Sequence, residues 1–155
     1  MPMPETKSAS NGGPPLESLR VAIELAIPSD VRYIERVVDL VQRQCVELQY
    51  APQACSLNVP VALAEALSNA ILYGNEERPG TNVKVKAEID RSALVVEIAD
   101  EGTGFSLDEC IADPTAPENL EREDGRGLFL MTRLMDRVER FENGGNVVRL
   151  TLRRR

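Results

Sequence analysis

Glu65-Ala66-Leu67-Ser68-Asn69-Ala70-Ile71-Leu72-Tyr73-Gly74-Asn75 is the stretch from which the rest of the chain is read. As a helix it sets Leu63, Leu67 and Ile71 on one stripe at four-residue spacing, suited to a core. Glu65, Asn69 and Tyr73 form a second stripe at the same spacing, about half-way round the cylinder. That stripe carries a carboxylate, a carboxamide and a phenol in a row, with small Ala62, Ala66 and Ala70 beside it. Glu and Asn one turn apart can hold a metal ion and activate a hydroxyl or water. On its own, a polar stripe of this kind is more often a solvated helix face. Gly74 is expected to end the helix, as a residue free to adopt positive φ.

Outward from that helix, the chain alternates clearly. Leu19, Val21, Ile23, Leu25 and Ile27 fall on one face of a strand, stopped by Pro28-Ser29-Asp30, which also offers a helix cap. A helix follows, with Val31, Ile34, Val38, Val41, Cys45 and Leu48 on a single stripe, ending near Tyr50. Asn58 is expected to cap the Glu65/Asn69 helix, with Pro60 in its first turn. Val83 to Ile89 and Leu94 to Ala99 make a hairpin about Asp90-Arg91-Ser92. Ser106 to Asp124 loses periodicity, apart from a short helix near Leu107–Ala112, turns acidic, and is expected to be a lid. Gly127 to Met135 is expected to be helical. Arg137–Phe141 and Val147–Leu152, joined by Asn143-Gly144-Gly145-Asn146, make a second hairpin. The fold class this order predicts is α+β: a two-layer sandwich, its sheet mixed but mainly antiparallel, with helices on one face.

The chain has 155 residues, one domain's worth, enough to bury roughly 70% of its unfolded surface. Residues 1–18, rich in Pro, Ser, Gly and Asn, are expected to be a disordered tail, and 19–155 the folded domain. The formal charge of −7 argues against non-specific nucleic-acid or anionic-membrane binding. Three cysteines without CxxC spacing suggest neither a disulfide framework nor a zinc site, and Cys45 reads as a buried small hydrophobe. With no signal-like apolar region or membrane span read from the sequence, the cytoplasm is the expected compartment. There is no histidine, which removes histidine catalysis, histidine metal ligation and phosphohistidine formation on this chain.

Two further Gly-rich turns bear on chemistry. Asp100-Glu101-Gly102-Thr103-Gly104 follows a buried strand; its carboxylate can accept from an amine such as that of adenine, and its glycines let backbone approach a flat ligand. Gly125-Arg126-Gly127 opens a helix, whose N-terminal amides can receive phosphate oxygens, with Arg126 adding charge. In order and separation the three stretches resemble the ATP-binding fold shared by gyrase-type topoisomerases, heat-shock ATPase chaperones, histidine kinases and MutL-type repair proteins. Glu65/Asn69 resembles that family's N box, Asp100-x-Gly102-x-Gly104 its first glycine box and Gly125-Arg126-Gly127-Leu128 its second.

The resemblance implies roles. Asn69 would ligate Mg²⁺ bridging the phosphates of ATP, and Asp100 would bind the adenine amine. Gly102 and Gly104 would line the adenine pocket, Gly125, Arg126 and Gly127 would hold phosphates, and Glu65 would be the general base or position water. Many relatives carry histidine where Tyr73 stands. A histidine kinase needs a phosphoacceptor histidine, and the topoisomerase, chaperone and repair branches append transducer domains for which little room is expected. The chain is most similar to the stand-alone branch of small serine/threonine kinases acting as anti-sigma factors. Such proteins dimerise, silence a sigma factor, and phosphorylate a serine on a small antagonist protein. The rival reading is a nucleotide-binding switch that only sequesters or activates a partner.

Overall fold

The computed structural model describes residues 18–102 and 123–155, with backbone alone at 123–126. The expected tail therefore lies outside the described residues except for Ser18. So do Cys110, Gly104 and the Ser106–Asp124 lid with its short helix, apart from Glu123 and Asp124, which begin a helix. Strands β1 (Arg20–Pro28), β2 (Asn82–Asp90), β3 (Ala93–Ala99), β4 (Arg137–Glu142) and β5 (Asn146–Arg153) form one sheet, ordered β1-β2-β3-β5-β4. Every neighbouring pair is antiparallel. Helices α1 (Ile34–Glu47), α2 (Val59–Asn69) and α3 (Glu123–Leu134) complete the α+β sandwich.

The alternation in β2 and β3 decides which face is covered. Val83, Val85, Ala87 and Ile89 are fully buried beside Leu94, Val96 and Ile98, and the register carries this face on to Leu150 and Leu152 of β5. Leu63, Leu67 and Ile71 of the second helix pack into the same core. Burying each such Leu or Ile stabilises the fold by about 1.5–3 kcal/mol. On the opposite face the register aligns Glu24, Lys86, Glu97, Arg149 and Glu139 across all five strands, alternating in sign. Arg149 ion-pairs there with Glu97 at 2.8 Å and Glu139 at 3.7 Å, and its guanidinium lies 4.7 Å from the Phe141 ring centre.

Several local expectations shift. The first helix begins as a 3₁₀ turn, Val31–Tyr33, capped by Asp30, whose carboxylate accepts from the Arg32 amide at 2.9 Å. Of its expected stripe, Val41, Cys45 and Leu48 are fully buried and Ile34 and Val38 pack against the core, while Val31 is exposed and Val37, outside the expected stripe, is buried. Asn58 does not cap α2, because helical structure already runs back through a π-helical turn at Ala54–Asn58. Its amide donates instead to the Leu134 carbonyl at 2.7 Å, closing the far end of α3. The continuous run Ala54–Gly74 is long and apolar enough to cross a membrane by length and composition alone, which the sequence reading passed over. Its apolar stripe is spent on the sheet, as in a core helix. Cys45 is fully buried, and burial pushes its thiol up to about 12.

The β2–β3 turn is tied by one carboxylate. Asp90 Oδ1 accepts from the Ser92 amide at 2.7 Å, the Ser92 hydroxyl at 2.6 Å and the Ala93 amide at 2.9 Å. The Ser92 hydroxyl first, then the two amides, hold this carboxyl below its ordinary range. A depressed folded value means its stabilisation is complete above the unfolded value of about 3.9 and is lost as pH falls through the folded one. Asp90→Ala is expected to cost about 1 kcal/mol at neutral pH, one net hydrogen bond's worth at a solvated turn. In urea titrations the gap between the two proteins should narrow as pH drops below that range. A gap constant down to acid unfolding would show that the charge is not what holds the turn.

Candidate functional site

Helix α2 is roofed on its polar side by α3. Glu65, Ser68, Asn69, Leu72 and Tyr73 line a cavity of about 310 Å³ with Gly127 and Leu130 of α3. Small residues make the approach possible: Ala62, Ala66 and Ala70 are buried, and Gly127 lies directly over the Glu65/Asn69 pair. A Cβ at Gly127 would stand 2.7 Å from Glu65 Oε2 and 3.4 Å from Asn69 Nδ2. Asn69 is only 5% exposed, and its Nδ2 is buried without a hydrogen-bond partner among the described residues. At Asn69 the stripe is not solvated. An unsatisfied buried amide costs about 1–3 kcal/mol, and such groups are rare in folded proteins. Tyr73 stands at the cavity's mouth, 38% exposed.

The other end of the site lies where the α2 run meets the end of β3. A π-helical turn, Ala70–Gly74, extends the helix and is closed by the Asn75 amide donating to the Ala70 carbonyl at 2.8 Å. Gly74 is not at positive φ, contrary to expectation. Its glycine is required because a Cβ there would overlap Oδ2 of Asp100. Asp100 is 9% exposed; its Oδ1 accepts from the Gly102 amide at 2.9 Å and from Asn146 Nδ2 at 3.2 Å. Asn146 Nδ2 also donates to the Gly102 carbonyl at 2.6 Å, and its Oδ1 accepts from Arg140. Glu65 to Gly74 spans about 13 Å along the helix at 1.5 Å per residue, so one helix carries both ends of the site.

The structure thus brings Glu65, Asn69 and Gly127 together at one end, and Asp100 and Gly102 at the other. Gly104 lies outside the described residues. Gly125 and Arg126 fall in the first turn of α3, but the helix begins at Glu123, so Gly127 lies beyond the four amides that a helix start leaves unpaired. What Gly127 supplies is room beside Glu65. Sequence reasoning missed Asn75 and Asn146, both buried. The Asn143–Asn146 run reads only as a hairpin turn, and no local signal marks an Asn with partners as far as 46 residues away.

Mg²⁺ fits the donors present. It prefers hard oxygens and usually takes one or two from protein, completing its shell with phosphate and water. The Asn69 carboxamide and the neighbouring Glu65 carboxylate offer that chemistry. Among the described residues no group of three or more His, Cys, Asp or Glu side chains forms a metal cage.

Residues 27–152 match the histidine kinase-like ATPase domain. The chain belongs to that family. It is 30% identical over 135 residues to the serine-protein kinase RsbW of Bacillus velezensis, covering 83% of each chain. It is 31% identical over 100 residues to the anti-sigma F factor of Clostridium beijerinckii, covering 63% of this chain and 69% of the other. The crystal structure of the RsbU and RsbW domains of Rv1364c from Mycobacterium tuberculosis superposes with a TM-score of 0.59 at 14% identity. That match covers 86% of this chain and 32% of the other, and it shows the shared fold. The anti-sigma kinase branch of the ATPase family is therefore the chain's place.

The close approach at Gly74 gives a test by non-additivity. Gly74→Ala is expected to destabilise by about 1–3 kcal/mol, the usual cost of overpacking. In Gly74→Ala/Asp100→Ala the overlap is gone, so the double variant should lose less than the sum of the single losses. Urea denaturation of all four proteins measures this, and strict additivity would show that the two residues are not in contact.

Proposed function

We propose that the chain is an ATP-dependent serine/threonine protein kinase acting as an anti-sigma factor. It would bind a sigma factor and phosphorylate a serine on a small antagonist protein, working in the cytoplasm as a homodimer. The observation that carries this reading is the Asn69 amide, buried and without a partner among the described residues, sharing a cavity with Glu65 under Gly127. A binding-only switch has less use for a carboxylate at that place.

Asn69 is the residue to hold Mg²⁺ at the phosphate end. When bound, the ion neutralises charge on the phosphates of ATP. Gly125 and Arg126, in the first turn of α3, and Gly127 after them form the phosphate side, Arg126 supplying positive charge. Asp100 accepts from the exocyclic amine of adenine, and Gly102 with Gly104 keeps the adenine pocket free of side chains. Glu65 takes the proton from the attacking serine hydroxyl, or orients it. Phosphoryl transfer through a loose transition state depends mainly on positioning and charge neutralisation, so the carboxylate's share is modest.

Two variants separate binding from catalysis. Glu65→Gln keeps size and reach but cannot take a proton. ATP affinity should change little, while single-turnover phosphorylation of the antagonist falls towards the low end of the general-base range, about 10²-fold. Asn69→Ala should lower Mg²⁺-dependent affinity and turnover together. The measurements are ATP titration beside single-turnover kinetics with the antagonist from the same genome. Full activity in Glu65→Gln removes the base assignment. Variants silent in both measurements would return this helix to a scaffold role.

A further inference from the structure

Asn75 is fully buried, and every polar atom of its side chain is used. Oδ1 accepts from the Glu101 amide at 2.7 Å, while Nδ2 donates to the Asn82 carbonyl and to Ser29 Oγ, both at 2.9 Å. The Glu101 side chain returns the connection, accepting from the Asn82 amide at 2.6 Å. Asn75, Glu101 and Asn82 therefore close a ring of hydrogen bonds that joins the end of the α2 run, the end of β3 and the start of β2. Ser29, itself hydrogen-bonded to Thr81 Oγ1 at 2.7 Å, adds the end of β1.

The ring's position gives it a consequence beyond stability. Glu101 follows Asp100 directly, so the peptide that Asn75 grips is the one carrying the Asp100 carbonyl. Gly74 precedes Asn75 and lies against the Asp100 carboxylate. From the other side Asn146 holds Oδ1. Asp100 Oδ2 has no hydrogen bond among the described residues, and its direction is set by these two grips.

We propose that Asn75 is a positioning residue for base recognition: by gripping the Asp100–Glu101 peptide it aims the Asp100 carboxylate. The inference rests on the reading of Asp100 as the acceptor for adenine's exocyclic amine. Guanine carries a carbonyl oxygen where adenine carries that amine, so a well-aimed carboxylate attracts one base and repels the other. A carboxylate free to turn away loses much of that discrimination while the phosphate end, anchored on α2 and α3, is undisturbed.

The readout is therefore the ratio of ATP to GTP affinity, measured by calorimetric titration of the full chain with Mg²⁺ and each nucleotide, beside the melting temperature. Asn75→Ala is expected to reduce the preference for ATP by about tenfold, equivalent to roughly one hydrogen bond to a charged group. Leu67→Ala, a core variant remote from the ring, should lower the melting temperature and leave the ratio alone; a merely structural Asn75 would behave the same way. Ser29→Ala removes one acceptor of the Asn75 amide and touches neither motif. It should lower the ratio by about two- to fourfold, and it carries the test if Asn75→Ala does not fold. A ratio unchanged in the folded Asn75 or Ser29 variants, in a protein that prefers ATP, overturns the positioning role alone. Equal ATP and GTP affinity in the unaltered protein overturns the adenine reading of Asp100 and this proposal with it.

Discussion

The contact between Gly74 and the Asp100 carboxylate is the constraint on which the rest of the site depends. A helix end and a strand end can meet this closely only where one of them has no side chain. β3 is the middle strand of five and cannot easily move, since it is paired on both sides and buried against the helices. The helix must therefore come to the strand. The π-helical turn at Ala70–Gly74 widens the last turn as it arrives, and such turns recur at functional sites. Once the two ends touch, a single rigid helix relates the Asn69 end of the site to the Asp100 end.

The same helix serves the core and the site through opposite faces. Leu63, Leu67 and Ile71 are sealed against the sheet, and this burial supplies the stability that lets the other face carry an unsatisfied amide. The paired asparagines at 75 and 146 illustrate the contrast. Both are buried and polar, yet the bonds of each are made within the protein, so they fix geometry.

The uncovered face of the sheet follows different physics. Its alternating row from Glu24 to Glu139 is solvated, and pairs of this kind contribute little each, although Arg149 gains from two carboxylates and the Phe141 ring. Register is fixed by the buried face, because a slip by one residue would turn Val83, Val85, Ala87 and Ile89 out to solvent and bring this charged row against the core.

Much of this was legible in the chain as written. Alternation in Val83–Ile89 and Leu94–Ala99, the Leu63/Leu67/Ile71 stripe and the Asp90-Arg91-Ser92 turn are local signals, since burial on one face of a strand or helix imposes its period on neighbouring residues. They determined the α+β sandwich and both hairpins. The motif order pointed to the ATPase family, and Glu65 and Asn69 were visible as a polar pair. Whether that pair faced water or a roof was not, because the answer rests on Gly127, some sixty residues away. Gly74 ends its helix as the sequence implies, yet its glycine answers to a close approach and not to positive φ, and Asn58, placed to cap its own helix, closes another. The ring through Asn75 left no trace, for its partners sit 7 to 46 residues distant and only the folded sheet brings them within hydrogen-bond reach. Periodicity records which face a residue is on; what meets it there is decided by packing between segments far apart in the chain.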